Sequence, residues 1–156
     1  MPGVFEGESA LVILLGVLLV GVSLTIHAFF MFLILRSQVW LKRGPLSKAS
    51  GAALLVPSLL AATVFIALSS FIQVTLWAFV LRQSGPFDGF LEALYFSATT
   101  YTTLGTARHV LVPPFRAFEA MEASAGMLTS GLNAAVLFAI LASMGRKHSE
   151  IGRAHV

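Results

Sequence analysis

Residues 88–105 read DGFLEALYFSATTYTTLG, and this stretch decides how the whole chain is interpreted. Asp88 is of a type that caps helix N-termini, and apolar side chains recur at helical spacing from Phe90 onward. A helix from Asp88 to about Thr100 would be roughly 20 Å long, too short for the roughly 30 Å core of a bilayer. We therefore predict a half-length helix followed by a polar turn that contains Gly105.

The sequence on both sides of this stretch has very few charges. The 156 residues are 57% hydrophobic and only 11% charged, whereas an ordinary soluble domain carries about 25% charged residues. Three uncharged runs, of 27, 33 and 23 residues, separate Glu8 from Arg36, Lys48 from Arg82 and Glu122 from Arg146. About 20 apolar residues cross a bilayer core as a helix. We predict three membrane-spanning helices, near residues 9–36, 52–82 and 116–145.

The same composition excludes several classes of protein. Too few charges are present for the surface of a soluble enzyme, a disordered tail or a nucleic-acid-binding protein, despite a net charge of +3. The absence of cysteine excludes a disulfide scaffold. No HExxH-like pairing and no spaced set of carboxylates lies on a predicted helix. We therefore expect neither enzymatic activity nor a nucleic-acid partner.

The few charges are distributed asymmetrically. Seven of the ten basic residues lie in the 37–51 loop, just before it or after the third span, and six of the seven acidic residues lie elsewhere. Cytoplasmic loops carry the excess of Lys and Arg, which predicts a multi-pass protein of the cell membrane with its N-terminus outside and its C-terminus in the cytoplasm. Residues 150–156 resemble a translated sequencing adapter, so we expect the natural chain to differ after Ser149.

A short helix and a polar turn that return to the same side describe a re-entrant loop. Non-helical backbone at membrane depth is tolerated only where it is buried in protein or lines a water-filled cavity. One chain with three helices cannot surround such a loop, which predicts a homo-oligomer around a shared axis. Backbone carbonyls and threonine hydroxyls can replace the hydration shell of a cation. The C-terminal end of the short helix would also favour a cation.

Residues 92–97 and 99–105 resemble the pore helix and the first half of the selectivity filter in the potassium-channel pore-loop superfamily. The resemblance covers roughly 87–145 and is closest to small prokaryotic ion channels with one extra helix before the two-helix pore unit. It implies an all-α membrane fold in which three spanning helices, a re-entrant pore helix and a filter loop assemble as a homotetramer. It divides the chain into an N-terminal helix and cytoplasmic loop (1–51), a pore unit (52–149) and a tail (150–156).

The resemblance also implies a set of functional residues. The filter would comprise Thr102, Thr103, Leu104, Gly105, Thr106 and Ala107. Potassium ions would bind the backbone carbonyls of Thr103, Leu104 and Gly105, with no other cofactor, and the partners would be other copies of the chain, membrane lipids and monovalent cations. Arg108 would lie at the outer mouth, and the inner-helix hinge or cavity residues would be Gly126, Gly131 and Asn133. The alternative interpretation of the segment 102–105 is a polar loop at the membrane edge.

The upper half of the filter departs from the family pattern. The usual form is Thr-Val-Gly-Tyr-Gly-Asp, and this chain has Thr106, Ala107 and Arg108 at the last three positions. A Cβ atom at a left-handed glycine position costs roughly 1–2 kcal/mol, and four arginines at the mouth would repel cations. Two functions remain open. The chain either passes monovalent cations with weak potassium selectivity, or is a non-conducting homologue that serves as an assembly or regulatory subunit.

Polar and small residues inside the predicted spans also have two interpretations each. His27 either forms a hydrogen bond to a neighbouring helix or senses pH. Gln73 is expected to form hydrogen bonds between helices, and Asn133 either does the same or faces a cavity. Trp40 and Trp77 are candidate anchors at the membrane surface. A stripe of small residues on the third span either packs against a helix or lines the pore; its members are Gly131, Ala135, Ala139 and Ser143.

Overall fold

The computed structural model describes residues 2–44, 51–84, 87–105 and 111–153, and within these residues it contains four helices and no strand. The helices are α1 (Pro2–Arg43), α2 (Gly51–Ser84), α3 (Phe90–Tyr101) and α4 (Arg116–Arg153). Three of them contain segments long and apolar enough to cross a membrane, namely Ala10–Leu41, Ala53–Gln83 and Arg116–Ser143. The predicted all-α fold, with three helices long and apolar enough to span a membrane, is confirmed.

The long helices continue beyond the predicted spans. α1 begins at Pro2, a residue suited to the first helical turn because its missing N–H needs no partner there. α1 ends at Arg43, and the amide of Gly44 donates to the carbonyl of Trp40 at 2.8 Å. The uncharged runs mark only the part of each helix that suits hydrocarbon, since a helix itself can extend into water.

The start of α3 differs from the prediction. Its N-cap is Gly89, in an extended conformation with φ −145° and ψ 159°, and no side chain caps the helix. The carboxylate of Glu92, in the first turn, instead accepts a hydrogen bond from the amide of Asp88 at 3.3 Å. Asp88 is therefore not the N-cap, because it lies one residue before Gly89, and its amide rather than its side chain makes the hydrogen bond at this end of the helix.

By its internal contacts the chain divides into two compact units, one formed by Met1–His27 with Ser70–Ser130 and the other by Ala28–Ser69 with Gly131–Val156. In the first unit, Trp77 is fully buried and its indole N–H donates to the hydroxyl of Ser23 at 3.0 Å. Trp77 is therefore a core residue and not a membrane-surface anchor. The core of this unit comprises Val12, Leu19, Trp77, Ala78, Leu81, Phe87, Ala93, Phe96, Leu111 and Phe118.

The second unit has a smaller core of Ile34, Ala62 and Ile140. A cavity of about 190 Å³ lies between α1 and α4 in this unit. Two members of the small-residue stripe, Ala139 and Ser143, line that cavity. Gly131 and Ala135, like Ala139, are exposed among the described residues.

Candidate functional site

One face of α3 is buried in the first unit. Ala93, Phe96, Ser97 and Thr100 recur at the spacing of a single helix face, and each is at most 4% exposed. The hydroxyl of Ser97 lies 2.8 Å from the carbonyl oxygen of Val74 on α2. Since Val74 belongs to the candidate span Ala53–Gln83, the short helix packs directly against a membrane-spanning segment.

The opposite face of α3 and the turn after it are not covered by the chain itself. Leu91 is 79% exposed and Tyr95 is 59% exposed, one helical turn apart. All four residues from Thr102 to Gly105 are exposed as well. This part of the first unit therefore offers uncovered surface on an element that packs against spanning helices.

The turn 102–105 directs its amides back towards the end of α3. The amide of Thr102 donates to Ala98 at 3.1 Å, that of Thr103 to Thr100 at 2.9 Å, and that of Gly105 to Thr99 at 3.0 Å. Among the described residues, no hydrogen-bond donor reaches the backbone carbonyls of 102–105.

Two residues of the turn adopt left-handed backbone conformations. Gly105 has φ +71°, which glycine adopts without a steric cost. Thr103 has φ +60°, a conformation that costs a residue with a Cβ atom roughly 1–2 kcal/mol. Strain of this kind accumulates at functional sites, where the surrounding structure holds the residue in place.

Tyr101, the last residue of α3, anchors the turn to α2 and α4. Its hydroxyl donates to the side-chain oxygen of Gln73 at 3.2 Å and lies 2.6 Å from the hydroxyl of Thr129, where either group can be the donor. Burial raises the pKa of Tyr101 above its usual value. Gln73 thus joins helices, as predicted.

Gly126 lies against the end of α3. A Cβ atom at this position would overlap the carbonyl oxygen of Tyr101, so the close approach of α4 to α3 requires glycine. Gly131 differs, because nothing lies within 4 Å of where its Cβ would be. The side-chain oxygen of Asn133 is buried and has no hydrogen-bond partner among the described residues. Their hinge and cavity roles stay predictions.

A second buried contact joins α3 to α4. The hydroxyl of Ser97 lies 2.5 Å from Oε1 of Glu122, which is 0% exposed, and the other carboxyl oxygen has no hydrogen-bond partner among the described residues. The pair was not predicted from the sequence, in which Glu122 is one of the acidic residues at the outer edge of a span. A signal was present, since Glu122, Gly126 and Thr129 lie four and then three residues apart, on one helix face.

The predicted site residues are described only in part. Thr102, Thr103, Leu104 and Gly105 form the exposed turn, whereas Thr106, Ala107 and Arg108 lie outside the described residues. In the part of the chain that the structure describes, no group of three or more His, Asp or Glu side chains could hold a metal ion. A cation at this turn would therefore be bound by backbone carbonyls and hydroxyls.

Comparison of the chain with known protein families, with curated proteins and with solved structures gives no match.

Proposed function

We propose that this chain is the subunit of a homotetrameric pore-loop channel that passes monovalent cations across the cell membrane. The observation that carries the proposal is the exposed turn 102–105, whose carbonyls have no donor among the described residues and which follows a helix packed against a membrane-spanning segment. Backbone at membrane depth must be buried in protein or line a water-filled cavity. Other copies of the chain would supply the remaining walls.

The electrostatics of α3 supports a cation as the ligand. A helix of this kind carries about half a negative charge at its C-terminal end, and α3 ends at Tyr101, directly before the turn. Carbonyls of Thr103, Leu104 and Gly105 around an axis would replace the water ligands of potassium. Hydroxyls of Thr102 and Thr103 offer further oxygen ligands of the same type.

The sequence after the turn argues for weak selectivity. Thr106, Ala107 and Arg108 replace the family's Tyr, Gly and Asp, so the upper half of the filter lacks both a bracing aromatic and an acid. We propose that potassium passes with little preference over sodium. The same departure supports a second candidate, a non-conducting subunit that assembles with a separate, intact channel chain.

The test is ion flux into liposomes that contain the purified protein. We expect uptake of both potassium and sodium by the wild type and a loss of at least about tenfold in Gly105→Ala, because a Cβ at φ +71° costs roughly 1–2 kcal/mol in every subunit. Gly21→Ala is the matched control, since nothing lies within 4 Å of its Cβ position on α1. Its flux should equal that of the wild type.

Two results would contradict the channel proposal. An absence of flux in folded wild-type protein would favour the non-conducting subunit. Equal flux in Gly105→Ala and the wild type would place the conduction path elsewhere in the molecule.

A further inference from the structure

The hydroxyl of Ser97 is shared by two oxygen atoms from different helices. It lies 2.8 Å from the carbonyl oxygen of Val74 on α2 and 2.5 Å from Oε1 of Glu122 on α4. A serine hydroxyl has one hydrogen to donate and two lone pairs with which to accept. The two contacts are separate hydrogen bonds, each with its own hydrogen, only if one of the neighbouring oxygens brings a hydrogen of its own.

Only Glu122 can bring that hydrogen. The carbonyl of Val74 is an acceptor without a proton, whereas a carboxyl group becomes a donor when it is protonated. The Ser97 hydroxyl then donates to Val74 and accepts from Glu122. The separation of 2.5 Å between Ser97 and Glu122 suits a strong O–H···O hydrogen bond.

Among the residues that the structure describes, no positively charged group lies against Glu122 to stabilise a carboxylate. The titratable groups that face it are Glu119 on its own helix and Tyr101 on α3, and both are acidic. The segments of α1 and α2 at 10–26 and 53–81 contain no ionisable residue. An unpaired carboxylate that is 0% exposed in a membrane-spanning segment is strongly unfavourable, whereas a neutral acid with one good hydrogen bond is tolerated.

We propose that Glu122 is held as a neutral carboxylic acid that donates to Ser97, so that Glu122, Ser97 and the carbonyl of Val74 form a hydrogen-bonded connection across α4, α3 and α2. Glu122 and Ser97 are positioning residues. Ser97 lies one helical turn before Tyr101, and the connection fixes the end of α3 from which the turn 102–105 begins. Only the consequence for ion flux rests on the proposed function.

Infrared spectroscopy of the reconstituted protein tests the protonation directly. We expect a carbonyl stretching band of a protonated carboxylic acid at neutral pH in the wild type, and its loss in Glu122→Gln. Glu119→Gln is the matched control, one turn earlier on the same helix, and should keep the band. Ser97→Ala should shift the band to higher frequency, because the acid loses its hydrogen-bond acceptor. This variant keeps the test decisive if Glu122→Gln does not fold.

The pH dependence of the unfolding temperature is a second readout. An unfolded chain ionises its glutamates well below neutral pH, so a folded state that keeps the Glu122 proton binds one proton more than the unfolded state. Stability then falls as pH rises from mildly acidic to alkaline values. We expect this fall in the wild type and in Glu119→Gln, and its absence in Glu122→Gln.

The outcomes separate this inference from the channel proposal. Absence of the acid band in the wild type, or its persistence in Glu122→Gln, would overturn the inference even if ions flow. If the wild type shows the band and no flux, the inference stands and the channel proposal fails. With flux present, Glu122→Gln should conduct like the wild type, because its amide can still donate to Ser97, and Glu122→Ala should conduct at least severalfold less.

Discussion

A Cβ atom at Gly126 would overlap the carbonyl oxygen of Tyr101, at the end of α3. The Tyr101 side chain is held by Thr129, about one turn further along the same helix as Gly126. The two residues of α4 therefore fix both the backbone and the side chain of the residue from which the exposed turn begins. Close packing is a sufficient reason for glycine at 126, and a hinge role there stays a prediction.

Substituting Gly126 tests this packing at the residue scale. Gly126→Ala should lower the free energy of unfolding by about 2 kcal/mol or more, because the added methyl group must displace backbone and not a flexible side chain. In Gly131→Ala the methyl group meets open space, and alanine favours a helix over glycine by about 1 kcal/mol. Thermal unfolding in detergent measures both, and equal unfolding temperatures of the two variants would contradict the account.

The contact between Ser97 and Glu122 shows what residue patterns leave undetermined. The sequence places Ser97 on a short helix and Glu122 at the start of a span, and each is compatible with an exposed polar position. Their contact depends on the rotation of α3 and α4 about their own axes, which hydropathy does not specify when both helices are apolar on most faces.

At the scale of elements, α3 combines a buried face with an uncovered turn. Its existence and its length, 12 residues, could be predicted from the apolar spacing after Asp88. The N-cap of α3 could not be predicted, since Asp88 is of a type that caps helices and yet its backbone amide donates to Glu92. The turn itself depends on two left-handed residues, of which Gly105 carries a sequence signal and Thr103 does not.

Cysteine accessibility tests whether the turn faces water. The chain has no cysteine, so single substitutions report one position each. Thr103→Cys should react with a membrane-impermeant thiol reagent, because the proposed cavity is filled with water. Thr63→Cys should not react, although Thr63 is also exposed in the chain, because it lies in the span Ala53–Gln83 and would face lipid. An unreactive Thr103→Cys with intact flux would contradict the placement.

At the scale of the molecule, the three spans follow from where the charges are absent. The uncharged runs overlap the apolar segments of α1, α2 and α4 over most of their length, because hydrocarbon selects against charge over the length that it covers. The division of these helices between two compact units has no counterpart in the sequence pattern. The number of copies in the assembly also depends on contacts between chains, so it stays a prediction together with the orientation of the termini.

The uncovered surface of the first unit is where α3 and the turn after it would contact neighbouring copies of the chain. Leu91 and Tyr95 on α3, together with Leu104 in the turn, are each more than half exposed. Leu91 and Leu104 alone would be compatible with lipid, but the carbonyls of 102–105 would not. Neighbouring copies and water, and not lipid, should therefore contact the turn.

The most direct measurement is a particle reconstruction of the protein in lipid nanodiscs with potassium, calculated without imposed symmetry. The account predicts four copies around one axis, with the carbonyls of Thr103, Leu104 and Gly105 directed at that axis and ion density between them. A single copy, or an assembly in which the turn 102–105 faces lipid, would contradict it.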